Sequence, residues 1–237
     1  MGLKISMNKE FYEERYNRKS FGLDVPVKRP TQNSALYHYF PTPLYAAMVD
    51  DFDEIQKECD GAVKNSKFGY NPDFGMTHKL SAPNFNTNIL VDNSMPALTK
   101  QIGIHLEQFL QAIGFDKSDA YNPDYPFMWK FDCSWMTKFD YRDYAHTHNH
   151  GNCDVSGVYY YKLGGTNTGD IFFESPCPSQ VTSYAYHHYA HKQYQIPQEG
   201  KILLFPGYLN HGVATNESDH DRMSLSFNIL INQGNKY

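Results

Sequence analysis

The second half of the chain contains a series of short runs of β-forming residues, and this pattern restricts the fold more than any other feature. The runs are FMWKFDCSWMTKF, SGVYYYKL, GDIFFESP, SYAYHHYAHKQYQI, GKILLFP and RMSLSFNILIN. Gly, Pro and Asn residues separate them, at a spacing typical of an antiparallel barrel or sandwich. Aromatic residues make up 16% of the chain, which also favours sheet packing. The sequence therefore predicts a β-barrel core in this half of the chain.

Two stretches before this region place apolar residues at helical spacing. The first begins at Pro43 and carries its apolar residues at Leu44, Met48, Phe52 and Ile55. The second, NSMPALTKQIGIHLEQFLQAIGF, has a longer apolar face, with Asn93 or Ser94 as its expected N-cap and Gly114 at its end. His105 lies near the edge of that face, where we expect a partly buried, hydrogen-bonded histidine rather than a metal ligand. The sequence therefore predicts two helices ahead of the β-rich region.

The chain of 237 residues is long enough for one large domain. Residues 1–35 are charged and polar, and we expect them to form a loosely attached arm. Residues 36–126 are expected to give helical and loop support, with loops over residues 63–92, which are rich in Asn, Pro, Gly and Phe. Residues 127–234 are expected to form the β core. We therefore predict a single domain over residues 1–237, mainly β with N-terminal helices, an α+β arrangement.

Composition and charge exclude several classes of function. The net charge of -5 argues against nucleic-acid binding, because contact with a phosphate backbone usually needs a basic surface. The four cysteines are widely spaced without a C-x-x-C pair, so a reducing compartment fits better than a disulfide framework. The N-terminus lacks the apolar run of a signal peptide, and no stretch approaches the length of a membrane span. We expect a cytoplasmic protein (in the host cytoplasm if it is viral) without membrane or nucleic-acid partners; a homodimer is one possible assembly.

Three histidines alternate in HTHNHGNCDVSGVYYYK, at His146, His148 and His150. Alternate residues of an extended chain point to the same side, so two of these imidazoles can reach one ion. A further ligand must come from elsewhere, and the candidate is His211 in LLFPGYLNHGV, after an apolar strand and a Pro-Gly turn. The alternative is a polar strand face without metal.

A set of three protein ligands with open positions is typical of non-haem Fe(II) oxygenases, usually as two histidines and one carboxylate. The local patterns here are HTH and HNH, and the nearest acid is Asp154. The sequence leaves open whether His211 or Asp154 completes the set. A second cluster in HHYAH, formed by His187, His188 and His191, fits a solvated strand pair better than a ligand set.

The run DRMSLSFNILIN predicts a strand with two different faces. One face carries Arg222, Ser224, Ser226 and Asn228, and the other carries Met223, Leu225, Phe227 and Ile229. The apolar face is expected to pack on helices, and the polar face is expected to line a barrel. An Arg fork suits a carboxylate, so Arg222 with Ser224 predicts an anion site near the metal. In the alternative, Arg222 meets Asp219 or Asp221 on a solvated face.

These segments together carry a resemblance to a known family. The combination SW … HNHGNCDVSGVYYYK … GDIFFESP … GKILLFPGYLNHGV … DRMSLSFNI resembles the 2-oxoglutarate- and Fe(II)-dependent oxygenases found in marine bacteria and cyanophages. That family has a His-x-His-Pro segment leading into Ser-Gly-Val-Tyr-Tyr, a Phe-Pro-x-x-x-x-His-x-Val turn and Arg-x-Ser-x-Ser-Phe-Asn. Gly151 replaces the Pro of the first segment. The resemblance covers residues 133–230 well, and YFPTPLY and the long helix are also similar to the family's opening.

The resemblance implies a prolyl-hydroxylase-like double-stranded β-helix, a jelly-roll barrel flanked by helices. Carried over by position, the Fe(II) ligands, which are also the catalytic residues, are His148, His150 and His211. His146 lies just before the motif and becomes a supporting or substrate-facing candidate.

The resemblance also implies a cosubstrate and an activity. Arg222 is implied to bind the distal carboxylate of 2-oxoglutarate, helped by Ser224 and with Tyr160 as a further hydrogen-bond donor. The implied enzyme uses Fe(II), 2-oxoglutarate and O2 to hydroxylate a C–H bond of a peptide or protein residue or of a small metabolite. The alternatives are a metal- or ligand-binding jelly-roll or cupin-like protein, and a three-His dioxygenase that does not use 2-oxoglutarate.

Overall fold

The computed structural model describes residues 42–71, 77–81, 88–115, 127–177 and 192–233. The chain divides into two compact units, Met1–Pro41 and Thr42–Tyr237. The predicted arm at residues 1–35 belongs to the first unit and lies outside the described residues. His187, His188 and His191 belong to the second unit and also lie outside the described residues. The following account concerns the second unit.

Two antiparallel sheets dominate the described chain, as the β-rich sequence predicts. The strands are β1 Tyr45–Met48, β2 Lys79–Leu80, β3 Phe127–Phe139, β4 Ala145–His148, β5 Val155–Lys162, β6 Ile171–Phe173, β7 Gln193–Gln195, β8 Lys201–Pro206, β9 His211–Val213 and β10 Arg222–Gln233. One sheet has the order β1-β8-β5-β10-β3-β2, and the other has the order β4-β9-β6-β7. This double-sheet arrangement is that of a jelly roll.

The helices are α1 Phe52–Asn65, α2 Ile89–Asp92 and α3 Pro96–Ala112. The prediction of a helix from Pro43 is wrong in its first part, because the chain forms strand β1 there and the helix begins only at Phe52. Residues of β1 pair with β8, with Ala46 opposite Leu203, so sheet hydrogen bonds override the helical spacing of the side chains. Within the described ranges, no helix is long and apolar enough to cross a membrane.

The start of α3 is capped from another helix. The Glu58 carboxylate of α1 accepts hydrogen bonds from the backbone N–H groups of Ala97 and Leu98, at 2.7 and 3.0 Å. A negative charge at this position also interacts favourably with the helix dipole. The prediction of Asn93 or Ser94 as the N-cap is therefore wrong, since the cap comes from a residue distant in sequence.

Two other predictions for α3 are confirmed. Gly114 follows the helix with a φ of 81°, a left-handed conformation that favours glycine and ends the helix. His105 is buried, and its Nδ1 lies 2.9 Å from the Tyr45 hydroxyl of β1, so it is a hydrogen-bonded core residue.

Side-chain alternation along β10 separates a helix-packed core from the barrel interior. The residues that pack in one core with the α1 and α3 side chains are Met223, Leu225, Phe227 and Ile229. The residues that line a cavity on the opposite face are Arg222, Ser224, Ser226 and Asn228. Strands β5 and β8 alternate in the same way, because Tyr159 and Leu204 join the helix-packed core whereas Tyr160 and Phe205 join the interior cluster. The predicted two-faced strand is confirmed.

Candidate functional site

Three histidines meet at one end of the four-stranded sheet. His148 ends β4 and His211 begins β9, and the two residues are directly opposed in the strand register. His150 lies in the connection from β4 to β5. The ligand-capable atoms of the three side chains all lie within 4.8 Å of one another. The structure therefore brings together His148, His150 and His211, the set implied by the resemblance.

A glycine holds the two histidine-bearing connections against each other. The His150 backbone N–H donates to the Gly207 carbonyl at 2.8 Å, between the β4–β5 and β8–β9 connections. A Cβ atom at Gly207 would lie 2.2 Å from the Cys153 carbonyl oxygen and 2.9 Å from that of His150. Only glycine permits this approach, so the Pro-Gly turn of the sequence fixes where His150 and His211 meet.

Backbone carbonyls orient two of the rings. The His148 Nδ1 lies 2.8 Å from the His146 carbonyl oxygen, and the His211 Nδ1 lies 2.9 Å from that of Leu209. A carbonyl oxygen only accepts hydrogen bonds, so each Nδ1 carries the proton. The Nε2 lone pairs of His148 and His211 are therefore available to a metal, as is usual for metal-ligating histidines.

The third ring is held by side chains. The His150 ring stacks on Trp135, with ring centroids 5.6 Å apart and an interplanar angle of 8°. Burial, and to a lesser extent the neighbouring His148, lower the pKa of His150 to about 4. A hydrogen bond with the side chain of Asn228 acts in the opposite direction and raises this pKa. Asn228 and Trp135 thus orient the His150 ring, as backbone carbonyls orient the rings of His148 and His211.

Burial keeps the three imidazoles neutral. It is the main cause that lowers the pKa of His211 to about 3, and the nearby His148 adds to this effect. Burial also lowers the pKa of His148. A neutral imidazole offers the lone pair that a metal requires, so the environment favours the ligating form at neutral pH.

Two candidates from the sequence lie outside this cluster. His146 is exposed, with its ring against the edge of Tyr144 at a centroid distance of 4.9 Å. The Asp154 carboxylate accepts a hydrogen bond from the Ile231 backbone N–H at 2.6 Å. Of the two residues that the sequence leaves open as the third member, the structure brings His211 to His148 and His150, whereas Asp154 lies elsewhere.

Arg222 is buried, and no acidic side chain in the described segments forms an ion pair with it. It is 1% exposed, and neither its Nε nor its Nη1 has a hydrogen-bond partner within the described ranges. Its guanidinium lies over the rings of Phe139 and Tyr160, at 4.8 and 5.4 Å. Asp221, one of the partners considered from the sequence, pairs instead with Lys138 at 2.7 Å. Because an unpaired buried charge is strongly unfavourable, this arrangement is suited to an anionic ligand.

Two hydroxyl groups lie near this guanidinium. The Tyr160 hydroxyl is buried without a hydrogen-bond partner in the described part of the chain, and burial raises the pKa of Tyr160 to about 12. It is therefore protonated and able to donate to an anion. The Thr137 hydroxyl donates to the Ser224 carbonyl oxygen at 3.2 Å and lies 2.7 Å from the Ser224 hydroxyl, so the Ser224 proton is the one that can turn from Thr137 to a ligand.

His78 is a site residue that the sequence did not reveal. Its ring is 4% exposed and stacks on Phe139 at 4.3 Å, with Nδ1 3.1 Å from the Tyr144 carbonyl oxygen. The neighbouring Thr77 hydroxyl accepts a hydrogen bond from the Tyr144 backbone N–H at 2.7 Å and donates one to the Tyr144 carbonyl oxygen at 2.8 Å. His78 falls in the stretch at residues 63–92, which has no periodic pattern and so offered no signal for it.

One cavity of about 540 Å³ joins the histidine cluster to the guanidinium of Arg222. Its lining includes the three histidines, Arg222, Ser224 and His78. Its size lies within the range of roughly 300–1,000 Å³ that is typical of ligand pockets. Neutral imidazoles and an unpaired guanidinium in one jelly-roll cavity define a class of protein: a barrel that holds a metal ion together with an anionic ligand.

A family model matches the part of the chain that forms this cavity. Residues 133–228 match the family model described as "Putative 2OG-Fe(II) oxygenase", where 2OG is 2-oxoglutarate. The matched region contains the three histidines and Arg222. The family that it matches is one of 2-oxoglutarate- and Fe(II)-dependent oxygenases. No curated protein sequence matches the chain, and its marine or cyanophage origin stays a prediction.

Solved structures share the fold at low sequence identity. The epimerase SnoN in complex with Fe3+, alpha ketoglutarate and nogalamycin RO has a TM-score of 0.51 and 8% identity, over 80% of this chain and 79% of its own. A 2OG-Fe(II) oxygenase family oxidoreductase from Burkholderia pseudomallei has a TM-score of 0.50 and 10% identity, over 80% and 85%. HygX from Streptomyces hygroscopicus, with nickel and 2-oxoglutarate bound, has a TM-score of 0.50 and 11% identity, over 79% and 82%. The likeness shows a common jelly-roll fold.

Proposed function

We propose that the protein is an Fe(II)- and 2-oxoglutarate-dependent dioxygenase that hydroxylates a C–H bond of a peptide or protein residue or of a small metabolite. The observation that carries the proposal is the pairing, in one cavity, of three neutral imidazoles with a buried guanidinium that has no anionic partner among the described residues. The first group suits a divalent metal, and the second suits a dicarboxylate bound beside it. The structure of HygX with nickel and 2-oxoglutarate gives the proposal a precedent on the same fold.

The three histidines would hold the metal. His148 and His211 would bind through Nε2, because their Nδ1 protons are used by carbonyl oxygens. His150 would bind in the orientation set by Trp135 and Asn228. Iron and 2-oxoglutarate, when bound, supply the oxidising chemistry, in which O2, 2-oxoglutarate and a C–H group give succinate, CO2 and a hydroxyl group.

Arg222 would bind the distal carboxylate of 2-oxoglutarate. Its guanidinium has free donors, and the protonated Tyr160 hydroxyl adds another beside it. Ser224 would supply a further hydroxyl proton by turning from Thr137 to the ligand. Charge-assisted hydrogen bonds of this kind are among the stronger ones, and in a buried cavity they fix the orientation of the ligand.

Two rival functions share the metal site. A binding protein without turnover would need the histidines but no oxidisable cosubstrate, and a three-His dioxygenase would act on its substrate without 2-oxoglutarate. The unpaired Arg222 disfavours the second rival, because an enzyme without a carboxylate ligand gains nothing from a buried, uncompensated cation. The cytoplasmic location, the homodimer and the division into arm, support and core stay predictions.

An anaerobic titration tests the proposal. Addition of Fe(II) and then 2-oxoglutarate to the metal-free protein should produce the weak visible charge-transfer band of an iron–2-oxoglutarate chelate. Exposure to O2 should then convert 2-oxoglutarate to succinate. Absence of both the band and succinate contradicts the proposal, whereas a band without succinate favours the binding protein. The same titration with succinate in place of 2-oxoglutarate is the matched control.

A further inference from the structure

The cavity extends beyond the histidine cluster, on the side away from Arg222. Four levels of side chains follow one another along β10 and its neighbour β3, and the register pairs them as Arg222 with Phe139, Ser224 with Thr137, Ser226 with Trp135 and Asn228 with Cys133. Trp135 stacks on His150, so the histidine cluster lies at the third level. At about 3.3 Å per residue, the four levels span roughly 20 Å, which is longer than 2-oxoglutarate requires. The end beyond Trp135 is therefore free for another ligand.

A β-bulge places an exposed acidic side chain, that of Asp132, at the rim of this end. Asn228 pairs with Cys133, but the next residue, Ile229, pairs with Phe131, so Asp132 is an extra residue of β3 without a partner in β10. Regular alternation would point Phe131 into the cavity and Asp132 towards the helices. Instead, Asp132 lines the cavity and Phe131 packs with the helix-facing core. Bulges occur preferentially next to active sites, where they redirect a side chain in this way.

The surrounding wall is buried, polar and neutral. Asn228 and Ser156 are 8% and 2% exposed, and the Ser156 hydroxyl donates to the Asn228 carboxamide oxygen at 2.9 Å. The Asn228 amide nitrogen donates to the Cys133 sulfur at 3.3 Å. The carboxylate of Asp132 forms no hydrogen bond or ion pair that involves a described residue. Asp132 and Arg222, at opposite ends, are the acidic and basic side chains of the cavity lining.

We propose that the end of the cavity formed by Asp132, Cys133, Ser156 and Asn228, the Asp132 lobe, binds the prime substrate through a cationic group, an ammonium or a guanidinium, that pairs with the Asp132 carboxylate. This proposal rests on the proposed oxygenase function and adds the chemical class of its substrate. An anionic substrate would meet a like charge at the entrance and has no basic partner there. Arg222 at one end thus selects the anionic cosubstrate, and Asp132 at the other end selects a cationic substrate.

The spacing along β3 sets the size of the substrate. Asp132 lies three residues from Trp135 across the bulge, so along the strand its backbone is at most roughly 10 Å from the level of the histidine cluster. The charged nitrogen and the oxidised carbon therefore lie a few bonds apart in one short substrate. A basic amino-acid side chain within a peptide and a free diamine or basic amino acid meet this requirement equally, so an experiment has to compare the two sources.

Substrate-stimulated succinate formation tests the proposal. The probes are one short peptide with Lys, Arg, Gln or Glu at its centre, together with free L-lysine, L-arginine, L-glutamine and L-glutamate. The enzyme loaded with Fe(II) and 2-oxoglutarate should respond to the Lys or Arg probes more strongly than to the Gln and Glu probes. Stimulation by the peptides alone assigns a protein substrate, and stimulation by the free amino acids alone assigns a metabolite.

Two variants link the preference to Asp132. Asp132→Asn should weaken the response to the cationic probes roughly tenfold, as loss of a charge-assisted hydrogen bond predicts. Asp132→Lys should transfer the response to the Glu probes. Asp53→Asn, in the first turn of α1, removes an exposed acid elsewhere and should leave the preference intact. The chelate band and the thermal midpoint of each variant report whether it is folded and loaded.

The outcomes separate this proposal from the one on which it rests. Absence of a chelate band in the unsubstituted enzyme contradicts the oxygenase function itself. A normal band with no response to any cationic probe, or with equal responses to the Lys and Glu probes, overturns the role of the Asp132 lobe alone. An unchanged preference in Asp132→Lys overturns it as well.

Discussion

His148 and His211 face each other across β4 and β9, with ring centroids 4.5 Å apart. Each ring places its Nδ1 against the carbonyl oxygen two residues earlier in its own chain segment, that of His146 or Leu209. The two rings are therefore fixed by the same local geometry on opposed strands. This relationship explains why both Nε2 atoms point to one position and not merely to one side of a sheet.

Loss of His211 should abolish metal retention. In His211→Ala, two imidazoles remain, and the buried member of the cluster is gone. We expect Fe(II) or Ni(II) to be lost on gel filtration, as measured by metal analysis of the protein fraction. His146→Ala removes an exposed imidazole outside the cluster and should retain metal. Equal metal contents of the two variants would contradict the assignment of ligands.

Arg222 should affect 2-oxoglutarate and not metal. Arg222→Ala removes the guanidinium that the cavity leaves unpaired, and we expect 2-oxoglutarate to bind on the order of 100-fold more weakly. Arg222→Lys keeps the charge without the planar fork and should give an intermediate affinity. The chelate band, titrated with 2-oxoglutarate at saturating Fe(II), measures both. Unchanged 2-oxoglutarate affinity in Arg222→Ala would refute the carboxylate assignment.

Asn228 should act on the metal through His150. Asn228→Ala removes the side-chain hydrogen bond to His150 and leaves only the Trp135 stack to orient this ring. We expect metal affinity to fall roughly tenfold, at the lower end of the 10- to 100-fold range for partners of metal-ligating histidines. The d–d spectrum of the Co(II)-loaded protein should also change. Ser226→Ala, one inward-facing position earlier on the same strand, is the control, and identical spectra for both variants would argue against this role.

Stability of the metal-free protein should fall on acidification. Burial lowers the pKa of His78 to about 4, from the 6.5 of an unperturbed histidine. Between these values the unfolded chain binds the proton and the folded chain does not, so the free energy of unfolding decreases as pH falls through this window. His78 contributes at most about 1.4 kcal/mol per pH unit to this slope. Urea unfolding at pH 7, 6 and 5 should show a shallower slope for His78→Gln, and equal slopes would contradict the prediction.

The parts of the fold that follow from local pattern could be predicted from the sequence. The alternation in RMSLSFNILIN gave both faces of β10, because a strand in a sheet between helices and a cavity has a strict period of two. The alternating histidines predicted that His148 and His150 lie on one side of the chain for the same reason. The choice of His211, 61 residues after His150, came from the resemblance and not from local pattern.

The parts that depend on distant contacts could not be predicted in this way. Strand β1 pairs with β8, and the N-cap of α3 is supplied by Glu58. Both partners are distant in sequence, so the residues of β1 and of the α3 N-terminus carry no local pattern that predicts these contacts. His78 reaches the cavity through Thr77 and Tyr144, which are far apart in sequence. The bulge at Asp132 reverses the alternation on which strand prediction relies. Each miss is a tertiary contact that overrides a local preference.

The position of His78 shows that the cavity extends beyond the region that the family model matches. His78 and Leu80 line the cavity, yet both lie upstream of the region 133–228 that defines the family. A fragment restricted to that region would keep the metal ligands but would lack one wall of the chamber. Conversely, a different upstream segment could reshape that wall without touching a single ligand. Selectivity in such enzymes can therefore diverge through the part of the chain that family comparison does not align.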